Sequence, residues 1–142
     1  MALSDTIPVI KNVFHITYIQ NRGAAWGSLQ GKRILLLAVT LLVLIFLVYF
    51  YIKMLKMDKY KDLRILFLFV FSGAVGNMID RIRLGYVIDM FDFRLINFPV
   101  FNVADIYVTC SMIILLILIL FKYKDNELED LFGRSKKGSD QE

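Results

Sequence analysis

ILLLAVTLLVLIFLVYFYI, residues 34–52, carries no charge, and its only polar side chains are Thr40, Tyr49 and Tyr51. An α-helix rises about 1.5 Å per residue, so a run of this length matches the roughly 30 Å hydrocarbon core of a bilayer. Two more runs share its character. Residues 106–121 contain no charge, and residues 65–79 are almost free of polar groups until Asn77. One such run could be the buried helix of a soluble domain. Three in a 142-residue chain that is 58% hydrophobic would leave too little polar surface to dissolve it. The chain is therefore expected to be a single polytopic membrane domain.

The charges are placed accordingly. Lys53, Lys56, Lys59, Lys61 and Arg64 crowd the connection after the first run, and Lys122, Lys124, Arg134, Lys136 and Lys137 follow the last. Positive charge at span ends marks the cytoplasmic side, so the net +4 gives no reason to expect a nucleic acid partner. This predicts spans at 34–52, 65–84 and 103–122. Residues 53–64 and 123–142 are then cytoplasmic, with 1–33 and 85–102 on the outer side. Three spans in this orientation also require residues 1–33 to cross with no apolar segment ahead of them, so a further span is expected upstream. Cys110 is a lone cysteine inside the last run, which argues against a disulfide framework and for a small packing residue.

Outside the spans the pattern changes. Residues 7–20 alternate β-branched and aromatic residues with a period of two and predict a strand. Asn21-Arg22-Gly23 then breaks it, and Trp26 suits an interfacial anchor. Ser72 and Gly76, four apart in the second span, predict a small-residue face for close helix approach. Residues 85–93 alternate again and suit an extended or interfacial segment. Asn102 is placed to cap the last helix, with Asp105 at the third helical position against the positive end of its dipole. The tail is expected to fray beyond about Leu131.

Ionisable groups at membrane depth are costly and are functional candidates for that reason. They are Asp80, Arg81, Asp89, Asp92 and Asp105, all near the outer surface. The single histidine, His15, has no second ligand nearby and is expected to be solvated, so no metal and no cofactor is predicted. A Ser28–Lys32 hydrolase would need a desolvated lysine, which this interfacial position does not supply. Paired carboxylates remain. Two close aspartates share a proton, so one can activate water while the other acts as acid. Asp89 and Asp105 can meet at one depth and are a plausible pair. Asp80, beside Asn77 and Arg81, suits a structural ion pair, and Asp92 is expected to be exposed.

Three blocks then resemble one family. Asn21-Arg22-Gly23-Ala24-Ala25-Trp26 is similar to its N-x-G-A-A-F motif. Residues Gly76 to Asp89 are similar to G-N-x-x-D-R-x-x-x-G-x-V-x-D, and Phe98 to Asp105 to F-P-x-F-N-x-A-D. The family is lipoprotein signal peptidase, or signal peptidase II. The resemblance implies an all-α transmembrane bundle, four spans in the family and three here, with a small extracytoplasmic β-cradle formed by the strand of residues 7–20. It implies an aspartyl endopeptidase of the bacterial inner membrane, working without cofactor near the outer surface. Its substrates would be diacylglyceryl-modified prolipoproteins, cut on the amino side of the lipidated cysteine, and membrane lipid would be its medium. The catalytic pair would be Asp89 and Asp105. Asn21, Asn77, Arg81 and Asn102 would shape and bind at the site, and Asp80, Gly23 and Gly76 would be structural. The sequence departs from the family at its first span, which carries a D-x-x-x-K pattern and is absent here, at Trp26 in place of Phe, and at Ser72 where a glycine pair usually begins. The rival readings are an inactive relative, shortened at its N-terminus, that binds lipidated peptides or a membrane partner, and a small transporter or channel subunit. The clustering of the acids at one surface disfavours the second.

Overall fold

The computed structural model describes residues 2–24, 28–123, 128 and 131. The anchor expected at Trp26 and the tail expected to fray beyond Leu131 lie outside these residues. Three helices carry the apolar runs: α1 (Arg33–Met54), α2 (Lys61–Arg83) and α3 (Val103–Phe121), with a short 3-10 turn at Asp58–Tyr60 leading into α2. Each is long and apolar enough to cross a membrane. Leu42, Leu116 and Phe121 are 66%, 57% and 73% exposed on the bundle's outer surface. Apolar area on that scale is stable against lipid rather than water. An apolar groove between α1 and α2 is lined by Leu47, Val48, Tyr51, Phe67, Leu68 and Phe71.

The tightest packing lies at one end. Met54, Tyr60, Leu63, Tyr123 and Leu131 form a buried cluster joining the α1–α2 connection to the chain beyond α3. The Tyr123 hydroxyl donates to the Lys59 carbonyl at 2.7 Å, and Lys122 pairs with Asp62.

At the other end three strands form an antiparallel sheet in the order β1-β2-β3: β1 (Thr6–Ile10), β2 (Phe14–Asn21) and β3 (Val87–Phe93). The single strand expected over 7–20 is thus a hairpin. Asn12 takes a left-handed φ of 60° in its turn, and the Val13 N–H bonds the Ile10 carbonyl at 3.0 Å. The turn, Lys11-Asn12-Val13, contains no glycine or proline, which hides the break. The segment at 85–93 becomes the third strand. Gly85, at φ +86°, ends α2 by donating to the Arg81 carbonyl at 3.2 Å, a left-handed cap that turns the chain directly into β3.

Close approach of α2 and α3 depends on glycine, at the expected Gly76 but at Gly73 in place of Ser72. A Cβ on Gly73 would lie 2.5 Å from the Ala104 carbonyl oxygen and 2.8 Å from Val108, and one on Gly76 would lie 3.4 Å from the Ala104 Cβ. Ser72 is exposed and returns its hydroxyl to the Leu68 carbonyl at 2.8 Å. Successive helix residues are about 100° apart, so the face toward α3 is Gly73 with Gly76, not Ser72 with Gly76. Gly73→Val is expected to cost roughly 1–3 kcal/mol through overpacking. Thermal unfolding in detergent checks this, with Ser72→Val as the exposed control. A loss no larger than the control's would show that the contact at Gly73 does not hold the helices together.

Candidate active site

The N-terminus of α3 gathers the site. Asn102 is its N-cap, in extended conformation, and its carbonyl oxygen Oδ1 accepts from the Asp105 N–H at 3.0 Å. Asp105 replies through Oδ2, accepting from the Asn102 N–H at 3.1 Å. Two of the helix's unpaired N-terminal donors are satisfied by this reciprocal box. The chain just before it is fixed to the sheet, because Phe101 accepts from Met90 and Phe91 and donates to the Phe91 carbonyl at 3.1 Å.

The Asn102 amide then reaches both ways. One Nδ2 proton goes to Asp89 Oδ1 at 2.9 Å and the other to Asn77 Oδ1 at 3.0 Å. Asn77, on α2, donates to Asp105 Oδ1 at 2.8 Å. Asn21, the last residue of β2, donates to Asp89 Oδ2 at 3.0 Å, and its own Oδ1 accepts from the Gly23 N–H at 2.9 Å. All four oxygens of the two carboxylates therefore accept a hydrogen bond. Among the described residues, Asp89 and Asp105 are connected through Asn102 and Asn77.

Arg81 spans the back of this group. It donates to the Gly23 carbonyl at 2.9 Å and to the Asn77 carbonyl at 3.3 Å, and it feels the charges of Asp105, Asp89 and Asp80. Its buried Nε has no partner among the described residues. Asp80 does not form the expected ion pair with Arg81. Its carboxylate accepts from the Ile88 N–H at 3.3 Å and so braces the corner between α2 and β3.

Asp89 is 2% exposed. Burial raises its carboxyl above the ordinary value. The Asn21 and Asn102 amides pull it back, Asp105 adds to the rise and Arg81 opposes it, and the balance stays upward.

Two expectations fail on the sheet. Asp92 is buried, not exposed, and accepts at Oδ2 from Thr17 at 2.8 Å and from Arg94 Nε at 2.9 Å. His15 is buried, not solvated, with Nδ1 lying 3.1 Å from the Thr6 hydroxyl. Thr17 and Arg94 replace solvent at Asp92, whereas the His15 Nε2 is buried without a partner among the described residues. His15 faces Asp92 directly across β2 and β3, and Thr6 faces Thr17 across β1 and β2. Such pairing is invisible until the register is known. Among the described residues no cluster of possible ligands could hold a metal ion.

Burial alone would raise the Asp92 carboxyl, but the hydrogen bonds from Arg94 and Thr17 and the charges of Arg94 and His15 outweigh it. Its value in the folded state thus lies below that in the unfolded chain. Its stabilising effect is complete above the ordinary carboxylate range and is lost as pH falls through the depressed value. Asp92→Asn is expected to lower the unfolding midpoint at pH 7, with a difference that closes on acidification through that range. A deficit independent of pH would show that the charge of Asp92 is not what stabilises the sheet.

A family model described as Signal peptidase (SPase) II matches residues 1–121. The chain is 47% identical over 117 residues to the lipoprotein signal peptidase of Clostridioides difficile (strain 630), covering 82% of this chain and 77% of that protein. It is 43% identical over 130 residues to the lipoprotein signal peptidase of Halothermothrix orenii, covering 92% and 84%. Among solved structures, a bacterial membrane enzyme determined by the in meso method at 2.3 Å is similar, with a TM-score of 0.77 and 34% identity. That match covers 97% of this chain and 79% of the other. A second such enzyme, at 1.9 Å, gives a TM-score of 0.74 and 37% identity over 86% of this chain and 79% of that one.

Proposed function

This chain belongs to the signal peptidase II family, and from that membership we propose that it hydrolyses the signal peptide of lipoprotein precursors with Asp89 and Asp105 as its working pair. The observation that carries the reading is the shared amide frame. Asn102 and Asn77 hold carboxylates from β3 and α3 at one end of the bundle, where a substrate anchored in lipid can arrive laterally.

In the proposed reaction one carboxylate of the pair is ionised and the other protonated. The ionised one takes a proton from water as the water oxygen bonds to the scissile carbonyl carbon. The protonated one donates to the carbonyl oxygen. Proton return to the amide nitrogen then lets the C–N bond break and yields a carboxylic acid and an amine. Burial raises the Asp89 carboxyl, which suits it to carrying a proton in this scheme. Arg81 adds positive charge behind both without pairing with either within 4 Å among the described residues. The substrate, by the family resemblance, is a diacylglyceryl-modified prolipoprotein cut before its lipidated cysteine.

The orientation is part of the proposal. Lys53, Lys56, Lys59, Lys61, Arg64 and Lys122 lie at the end carrying the buried Tyr60 cluster, opposite the aspartates. Positive charge faces the cytoplasm, so the site and the sheet lie at the outer surface of the bacterial inner membrane. Spans at 34–52, 65–84 and 103–122 then leave 1–33 and 85–102 outside, with 53–64 and 123–142 inside. In that placement the sheet is a cradle for the substrate's extended chain.

Gel-shift cleavage of a diacylglyceryl-modified prolipoprotein by the full-length protein in detergent tests the reading. Asp89→Asn and Asp105→Asn are each expected to lower turnover on the order of 10³-fold or more, while a lipidated peptide still binds. Cleavage at the wild-type rate by either variant would remove that aspartate from the mechanism. Binding without cleavage by the folded wild-type protein would leave a lipopeptide-binding relative as the better account.

A further inference from the structure

The sheet has two unlike sides. Residues paired across antiparallel strands point to the same side, so the register sorts the side chains. Ile7, Ile16 and Phe91 form one row across the three strands, and Ile10, Phe14 and Phe93 form another. The rings of Phe14 and Phe93 lie 4.8 Å apart, and Phe101 stacks on Phe93 at 5.8 Å. The opposite side carries the paired Thr6 and Thr17 and the paired His15 and Asp92, joined by hydrogen bonds.

Exposure runs against the usual order. His15, Thr17 and Asp92 are buried on the polar side, whereas Ile7 and Ile10 on the apolar side are 55% and 56% exposed. Among the described residues nothing covers them. At the tip of the sheet Leu95 and Ile96 are 71% and 68% exposed, and the Leu95 N–H donates to the Val13 carbonyl at 3.5 Å, so this turn and the β1–β2 hairpin end together. Phe98 is also exposed and packs edge-on against Phe101 at 5.5 Å. Arg94, the cation of the turn, is withdrawn to the polar side, where it binds Asp92 at 2.9 Å and Thr6 at 3.0 Å. The Asn97 N–H donates to the Arg94 carbonyl at 3.0 Å and the Phe98 N–H to the Phe93 carbonyl at 3.2 Å. A turn with its charge paired and these backbone donors satisfied can enter apolar surroundings at low cost.

The root of the sheet indicates what those surroundings are. Residues 84–86 join α2 to β3, and Asn102 alone separates Phe101 from α3. Three residues reach roughly 10 Å, so two spans hold the sheet at the level where they leave the bilayer. From there it could stand upright in water or lie along the leaflet. Upright, it would expose two apolar rows and an apolar turn to water. Lying down, the same side continues the lipid-facing surface of α3, where Val103 and Tyr107 are exposed.

We propose that the apolar side of the sheet, together with the Leu95–Ile96 turn, is a docking surface for the phospholipid of the adjoining leaflet. In the orientation given above that leaflet is the outer one, but the docking depends neither on that orientation nor on the role of Asp89.

Tryptophan fluorescence of the full-length protein in phosphatidylcholine vesicles, with and without bromine on the acyl chains, tests the docking. Trp26 is the single tryptophan of the sequence, so Trp26→Phe supplies a silent background. In it Leu95→Trp and Ile10→Trp are expected to lose about half or more of their emission to brominated lipid and little to aqueous iodide, since docked side chains sit roughly 5–10 Å into the headgroup and acyl boundary. Pro8→Trp, at an exposed position paired with His15 on the polar side, is expected to show the reverse. Phe98→Trp, one ring for another, takes their place if either reporter folds poorly. Quenching of the apolar-side reporters by iodide and not by bromine would put that side in water and overturn the proposal. Protection from both quenchers would overturn it too, because a second copy or a bound peptide would then be the cover. Equal bromine quenching at Pro8→Trp would show that the sheet does not present one side to lipid, with the same result.

Discussion

Asn102 is where helix, sheet and carboxylates meet, and each of its polar groups is committed. Its Oδ1 caps α3, its backbone N–H donates to the Asp105 carboxylate, and its amide protons go to Asp89 and Asn77. A cap that used only its oxygen could rotate with the fraying of the first turn. Here rotation would break contacts to β3 and α2 at once, so the start of α3 cannot shift without moving both aspartates. The rest of the structure serves this joint. Gly73 lets α3 lie against α2 closely enough for Asn77 to reach Asp105, and Phe101 pins the preceding residue to β3.

The distribution of packing follows. The buried apolar cluster is at the basic end, around Met54 and Tyr60, whereas the acidic end is held by hydrogen bonds. In a bilayer the apolar helix surfaces gain little from one another, because lipid is as apolar as leucine. Association must come from close backbone approach and from polar contacts that water does not contest. The Gly73–Ala104 contact supplies the first and the Asn77–Asp105–Asn102 set the second. The same bonds that bring the helices together also build the site, which is why so few polar residues suffice for both.

The sequence made some of this legible and hid the rest for definite reasons. The three long apolar helices could be found because uncharged runs near bilayer length have few other uses. Asn102 and Asp105 could be placed as cap and third helical residue because a cap is a local pattern. The Gly73 contact was misassigned to Ser72, since spacing defines a helix face only to within one residue. The hairpin reads as one strand in the sequence, because the turn at Asn12 has no glycine or proline to mark it. Asp92 and His15 read as exposed in the sequence, since their neighbours lie in other strands and only the register brings them together. Above all, the register shift of β2 against β3 between Ile16 and Ile19 leaves no local mark. Alternation read through it assigns Asn21 to the wrong face.

The choice of donors around the aspartates bears on the proposed chemistry. A lysine or arginine paired directly with either carboxylate would hold it ionised and remove it as a proton carrier. Asparagine amides satisfy the same oxygens without adding a charge, which is what the proposed exchange of one proton between the pair requires. Arg81 is kept at one remove, tied to the Gly23 and Asn77 carbonyls. From there its charge offsets part of the cost of a buried anion without choosing which carboxylate bears it. Its second tie, to Gly23, reaches the chain just beyond Asn21, whose own Oδ1 binds the Gly23 N–H. The cation and the donor to Asp89 are thus anchored on one short turn. A displacement of that turn changes the field on the pair and the hydrogen bond to it together, which couples the geometry of β2 to the proton that the reaction moves.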